Sequence, residues 1–348
     1  MVDSATASNL PRFRIAVIGT GLGSAPHFQS LQDLSSELEV AWISGKHADA
    51  MAQKYGFDIA SKAASLDDIL QDQSVRAALV LTPPSTHLEV VERLARAGKH
   101  VMVEKPLEIS LERATALVES CETNGVTLAI MLQHRMRDAS RELTRLMSTG
   151  ELGELVSSAA SVRWWRPQTY YDEPGRGTLA RDGGGVLMTQ AIHTLDLLLS
   201  YTGLPQRVLG MAGTSAMHQM ESEDNAAALL QFEGGTVAVL QATTAAYPGY
   251  PERIELNFTK GSATLESGTL KVNLIDGKSW TSGDLQSSGG GADPMAFDNG
   301  PHRAVIQDFV SSVQAGRAPA VSGRSALVVQ RVIHAIIASS KSGISISP

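Results

Sequence analysis

Cysteine is nearly absent: the 348 residues contain one, Cys121. A lone thiol excludes an internal disulfide and fits a reducing, cytoplasmic setting. Cys121 falls on the apolar stripe of a helical pattern and reads as a small core residue. No Cys/His cluster has the spacing of a zinc site, so no metal is expected. No apolar run approaches the ~18 residues of a membrane span, so no membrane partner is expected. Basic residues are the minority, 29 Lys and Arg against 36 Asp and Glu, for a net charge of −7. That balance argues against nucleic acid as a partner. The opening MVDSATASNLPRF lacks the basic head and apolar core of a signal peptide and reads as a flexible tail over residues 1–12. What the chain does have is length and 43% hydrophobic content, enough for two domains.

The first half alternates strand and helix. Arg14–Ile18 reads as an apolar strand feeding Gly19-Thr20-Gly21-Leu22-Gly23-Ser24 and then a helix. The run is close to G-x-G-x-x-G, with Ser24 in the third glycine position. Gly19 permits a tight turn, Gly21 lets the backbone approach a pyrophosphate, and the helix start offers free N–H groups and a positive dipole end. The second strand, Leu38–Ser44, ends in Ser44-Gly45-Lys46-His47. An NAD-specific site usually has a carboxylate there for the ribose 2′-hydroxyl. Ser44 can hydrogen-bond a 2′-phosphate and Lys46 can neutralise it, so NADP(H) is expected over NAD(H). The alternative is that Lys46 merely solvates the start of the next helix. A strand at Ala77–Leu81 leads into Thr82-Pro83-Pro84-Ser85-Thr86-His87, where the prolines forbid helix. His87 either touches the cofactor or is a polar residue of a first helical turn.

His100-Val101-Met102-Val103 runs directly into Glu104-Lys105-Pro106. A strand apolar on both faces is a buried parallel strand, and ligands sit beyond the carboxyl ends of such strands. Lys105 is therefore expected at the mouth of a cofactor cleft, with Glu104 beside it. After another helix and strand, Gln133-His134-Arg135 points toward the same cleft. Alternation this regular implies a doubly wound parallel sheet with right-handed crossovers.

The second half reads differently. Residues 164–185 form a long aromatic, glycine-rich segment, and such loops often carry function. Trp164, Trp165, Tyr170 and Tyr171 can stack on a ring. Arg163, Arg166, Arg176 and Arg181 can hold a carboxylate or phosphate, which allows an acidic ring substrate. The plainer reading is a lid packed on its own domain. Gly183–Gly185 open a helix over about Val186–Ser200, on which Thr189 and His193 share a face. Asp196 either orients the His193 ring or lies on the helix surface. Further strands near Arg207–Gly213, Asn225–Phe232, Thr236–Thr244, Arg253–Phe258 and Ser262–Leu265, with a Gly234-Gly235 hairpin turn, suggest an antiparallel sheet. Thr281–Asn299 reads as a mobile loop, and His302 either approaches the active site or, the plainer reading, is structural.

The motifs GTGLG, LTPPSTH, GKHVMVEKP and GGG…AIHTLD, with EGGTVAVLQAT, KGSATLE and PHRAVIQDFVSSVQAGRAP, resemble the glucose–fructose oxidoreductase/inositol dehydrogenase (Gfo/Idh/MocA) family over nearly the whole chain. The resemblance implies a Rossmann dinucleotide-binding domain over 13–134. It implies an α/β substrate and oligomerisation domain over 135–348, built on an open, mostly antiparallel sheet. A homodimer or homotetramer through that sheet is implied, as is redox chemistry at a secondary alcohol of a sugar, cyclitol or related cyclic diol. The family role of the EKP lysine, bonding the reacting oxygen and nicotinamide region, falls to Lys105, and Arg181 falls near cofactor and substrate. The family's strongest form has Asp at the position of Thr189 and His at that of His193; this chain keeps only the histidine. With an ordinary pKa of about 6.5, His193 is the expected general base, and Gln190, Tyr170 or water are open as its relay partner. Gln133, Arg135, Trp165, Arg166, Tyr170, Thr189 and Gln190 complete the expected substrate contacts. Cofactor contacts are expected from Gly19 to Gly23, Ser44 to Lys46, Thr82, Pro83, Pro84, His87, Glu104, Lys105 and Arg181. Two rival activities follow from the same residues: NAD-assisted glycosidic elimination, and a nucleotide-dependent sensor without turnover.

Overall fold

The structure is a computed structural model and describes residues 12–58, 65–283 and 298–348. The expected tail up to Pro11 and most of the expected Thr281–Asn299 loop lie outside the described residues. Five short strands, β1 (Phe13–Ile18), β2 (Leu38–Ser44), β3 (Ala77–Val80), β4 (His100–Val103) and β5 (Leu128–Ile130), pair in parallel in the order β2-β1-β3-β4-β5. Their apolar continuity has a simple cause: both faces are covered. Val17, Leu79 and Met102 face one layer with Phe28 and Phe309. Ala16, Ala78 and Val101 face the other with Val91, Leu94 and Leu117. This is the strand period of two, and each large side chain so removed from water contributes about 1.5–3 kcal/mol. Phe309 belongs to the helix Gly300–Ala315, so the far end of the chain returns to complete the first layer. Strand order turns back between β1 and β3, the switch point beyond whose carboxyl ends sheets of this kind have their ligand crevice.

The second sheet holds β6 (Leu155–Arg163), β7 (Arg207–Gly213), β8 (Asn225–Gln231), β9 (Val237–Thr243), β10 (Arg253–Phe258), β11 (Gly261–Glu266), β12 (Thr269–Leu274) and β13 (Ser279–Ser282). Their order is β13-β12-β11-β10-β6-β9-β8-β7, antiparallel except for the β6–β9 pair. Gly234 and Gly235, at φ 75° and 88°, turn β8 into β9. β12 and β13 add to the expected strands. The helix Ile192–Thr202 lies against the inner face and is buried at every residue from Ile192 to Leu199. A helix apolar nearly all round belongs in a core, so a histidine on it is held rigidly. The outer face of the sheet leaves Leu209, Met211, Leu229, Val237 and Val239 exposed. Among the described residues no helix is long and apolar enough to cross a membrane.

Candidate active site

The crevice is edged by the turn after β1. Gly19 has φ +109°, and a Cβ there would stand 2.6 Å from the backbone carbonyl of Leu81. Backbone cannot give way as a side-chain tip can, so the fold itself requires this glycine. Gly21 and Gly23 differ: a Cβ at either meets nothing within 4 Å. The chain's own packing makes no demand on them, and the turn leads into the helix Ala25–Asp33. Open backbone before a helix start suits the pyrophosphate of a dinucleotide. Gly19→Ala is expected to lower the melting temperature by many degrees. Gly21→Val should leave melting nearly unchanged and weaken binding of the nicotinamide dinucleotide by about 10-fold or more, read by calorimetry.

Several residues expected to contact the cofactor also have duties in the fold. The buried Thr20 accepts from the His47 N–H at 3.0 Å, and Gly19 N–H donates to the Ser44 carbonyl at 2.7 Å, tying the turn to the end of β2. Gly45 lies against Thr20, while Lys46 is exposed at the rim. His87 is fully buried: its Nδ1 faces the Pro106 and Leu107 carbonyls at 3.1 and 3.0 Å, and its Nε2 faces Thr82 O at 2.8 Å. It staples the turn after β3 to the turn after β4 and has no nitrogen left for a ligand, which corrects the expected contact. Glu104 pairs with His27 Nε2 at 2.9 Å.

Lys105 stands where β4 ends, and the Lys105–Pro106 bond is cis. Its Nζ donates to the Thr189 carbonyl at 2.7 Å. That acceptor exists because residues Leu187–Ala191 form a π turn before the helix becomes regular at Ile192. A π turn loosens the i→i−4 ladder and frees carbonyls, which is why such turns recur at functional sites. The Thr189 hydroxyl turns inward, its one proton within reach of Gly185 O at 2.7 Å and of Gln190 Oε1. Gln190 Nε2 reaches Tyr170 Oη at 3.4 Å.

His193 follows one turn later and is 7% exposed, with its Nδ1 buried and unpartnered. Burial holds its pKa well below the usual imidazole value, and the Lys105, His302 and Arg137 surroundings push the same way. Lys105 is thus close enough for its charge to act on His193. The His134 ring lies against His193, centroids 5.0 Å apart at 31°. His134 and His302 are likewise held well below their usual range, first by burial. His302 also meets His27 edge-on at 5.3 Å. Neutral imidazoles beside one ammonium are what a proton-accepting site needs.

Two expected roles are reassigned. Arg135 Nε and Nη2 both bond Asp196, at 2.7 and 2.5 Å. The pair takes Arg135 from the substrate and Asp196 from His193. Gln133 keeps a buried Oε1 without a partner, as a ligand-facing acceptor would. In the 164–185 segment, Arg176 and Arg181 share Glu173, and Arg163 lies over Tyr250 at 4.4 Å. Arg166, 2% exposed, faces the rings of Trp164 and Tyr170 and donates to Trp165 O. Trp165 meets Tyr247 edge-on at 5.5 Å. Most of the segment's positive charge is therefore already matched within it.

Residues 13–132 match the model described as an oxidoreductase family with an NAD-binding Rossmann fold, and residues 140–264 match the GFO/IDH/MocA C-terminal domain. The chain belongs to the Gfo/Idh/MocA family. As a member it is an oxidoreductase, of the dehydrogenase type acting on CH–OH groups. It is 26% identical to the uncharacterized oxidoreductase YrbE of Bacillus subtilis over 60% of this chain, a match that spans 61% of YrbE. It is 24% identical to the inositol 2-dehydrogenase of Rhizobium meliloti over 84% of this chain and 85% of that protein. The WlbA dehydrogenase of Bordetella pertussis, solved with NADH and UDP-GlcNAcA, superposes with a TM-score of 0.81 at 24% identity, covering 97% of this chain and 99% of that one.

Within this Gfo/Idh/MocA member the sequence reading missed His27, Arg137 and Glu252 as neighbours of the site; it placed His134 toward the cleft without giving it a role, and favoured a structural role for His302 over an approach to the site. Nothing local marks Glu252, which reaches Arg137 only through the pairing of β10 in the second sheet.

Proposed function

We propose that the protein transfers a hydride between NADP(H) and a secondary alcohol or ketone carbon of a sugar, cyclitol or related cyclic diol. Residues 13–134 act as the dinucleotide half and 135–348 as the substrate half. One juxtaposition carries the reading: Lys105, from the edge of the first sheet, is bonded to the π turn that precedes His193 on the buried helix of the second half. His193, neutral, takes the hydroxyl proton. The Lys105 ammonium stabilises the charge that develops on the substrate oxygen. The dinucleotide, held by the Gly19–Gly23 turn and the rim at Ser44–Lys46, supplies the hydride acceptor or donor when bound. Gln133, Trp165, Arg166, Tyr170 and Gln190 shape the substrate side. A relative named for inositol and a neighbour solved with a nucleotide sugar support a ring polyol. The one thiol is buried and unpaired, which suits a reducing cytosol.

The test is reduction of NADP⁺ and NAD⁺ across a panel of sugars, cyclitols and cyclic diols. Turnover with a ring polyol and a preference for NADP⁺ is the expected result. Cofactor binding with no turnover across the panel would favour the sensor reading instead. Lys46→Glu should move the ratio of kcat/KM values toward NAD⁺ by about 10-fold or more, since it puts a repelling charge beside a 2′-phosphate.

We propose further that the chain forms a homodimer or homotetramer through the outer face of the second sheet. Leu209, Met211, Leu229, Val237 and Val239, 41–78% exposed on three adjacent strands, form an apolar face of the kind that marks a protein interface. Light scattering should find an oligomer whose mass drops to one chain in Met211→Glu/Leu229→Glu.

A further inference from the structure

We infer that Arg137, Glu252 and one water between them and His134 form a positioning unit that holds His134 as a neutral, Nδ1-protonated ring against His193. The inference rests on the reading of His193 as the proton acceptor and names the residues that set its state. Arg137 Nη2 donates to His134 Nε2 at 2.9 Å, and Nη1 donates to Glu252 Oε1 at 2.7 Å. A guanidinium has no lone pair to offer, so His134 Nε2 is the acceptor, and the proton of the neutral ring is on Nδ1. Arg137 and Glu252 are 9% and 4% exposed, so neither is a surface charge with other duties.

Beside them is a small, partly open space of about 10 Å³, lined by His134, Arg137, Ser140, Thr194 and Glu252 among others. That is room for a single water. The lining residues carry four buried polar atoms without a protein partner: His134 Nδ1, Arg137 Nε, Thr194 Oγ1 and Glu252 Oε2. A buried water bonds two to four groups, and this set offers both donors and acceptors. A water that accepts from His134 Nδ1–H and donates to Glu252 Oε2 closes a ring through Arg137 back to His134 Nε2. The ring fixes both the tautomer and the orientation of His134, and through the stacked contact it restrains His193.

The charges make the unit measurable. The groups that act on His193 are Lys105, His302 and Arg137, and those that act on His134 are Arg137, His193, His302 and Lys105. Every one of these is neutral or cationic; Glu252 is the carboxylate that bonds Arg137. Removing the Arg137 cation should raise the acid limb of the kcat/KM profile. Removing the Glu252 carboxylate leaves that cation uncompensated and should lower it. A purely structural pair gives no such opposition.

The experiment has two readouts. Nitrogen-15 correlation spectra of the wild-type apoprotein, with the His134 signals assigned by their loss in His134→Asn, report the tautomer without reference to turnover. The expected spectrum is neutral Nδ1–H from about pH 8 to about pH 5.5, well into the range where a free imidazole charges. An Nε2–H ring, or one that titrates near its ordinary value, overturns the proposal whatever the enzyme's activity. The second readout is the pH profile. Arg137→Met and Glu252→Gln should displace the acid limb in opposite directions, and Arg137→Met/Glu252→Gln, which leaves no buried charge unpaired, should return it toward wild type. Shifts in one direction, or none, also overturn it. If His193 proves not to be the base, the profiles lose their meaning but the spectra still decide the state of His134.

Discussion

His193→Asn and Lys105→Met should each lower kcat by roughly 10²–10⁴-fold while NADP⁺ affinity stays within a few-fold of wild type. Each variant removes one function at one oxygen: the group that takes its proton, or the cation that steadies its charge. Because both act on the same atom, the double variant should lose much less than the product of the single losses. The wild-type pH profile carries its own sign. Burial and the Lys105 charge hold the His193 pKa well below 6.5, so the competent neutral form persists as pH falls through that value. Then kcat/KM should stay level from about pH 8 to below about 6.5 and decline only beyond it. A depressed pKa also makes a weaker base, and the ammonium offsets this by stabilising the oxygen that gives up the proton. In Lys105→Met the residual activity should show an acid limb moved up toward the ordinary imidazole value, because one of the charges that depress it is gone. Near-wild-type turnover in both single variants would remove the mechanism.

Gly185→Ala should cost more than about 4 kcal/mol, enough to leave little folded protein. A Cβ on Gly185 would lie 1.8 Å from the Glu223 carbonyl oxygen and 2.8 Å from its nitrogen. Both are backbone atoms, and the carbonyl is pinned. The Glu223 carbonyl accepts from Val186 N–H at 2.8 Å, and its carboxylate accepts from the N–H groups of Gly185 and Leu187 at 3.0 and 3.1 Å. Glu223, two residues before β8, thus caps the segment that becomes the His193 helix, and the cap works only if two backbones touch. Glu223→Gln retains one accepting oxygen and all of the shape, so it should cost only about 1–2 kcal/mol. Gly184→Ala should fall between, since its Cβ meets only the Met188 side chain, at 3.1 Å. Denaturant midpoints for the three variants check the order.

The first sheet could be read from sequence because a strand buried on both faces is a continuous apolar run, as β3 is throughout and β4 is after His100. The Lys105 position followed from that reading, since it needs only the direction of one strand. The His193 helix could be seen, but its π turn could not, because Leu187–Ala191 is as apolar and as continuous as the regular helix it precedes. The misread residues share one feature. A polar side chain at a cleft edge looks the same in sequence whether it serves a ligand or the fold. His87 and Arg135 were assigned to ligands, and the structure gives them backbone carbonyls and Asp196. Arg137 and Glu252 were overlooked for the converse reason. They are 115 residues apart and become neighbours only when the second sheet brings β10 to the end of the first.

A crystal structure of the protein with NADP⁺ tests the convergence of the two halves most directly. The account predicts the nicotinamide C4 in the crevice beyond β1, β3 and β4, within about 5 Å of both Lys105 Nζ and the His193 ring, a spacing that leaves one substrate carbon in reach of all three. A nicotinamide ring seated away from either residue, with Lys105 still on the Thr189 carbonyl and no space beside His193, would contradict it.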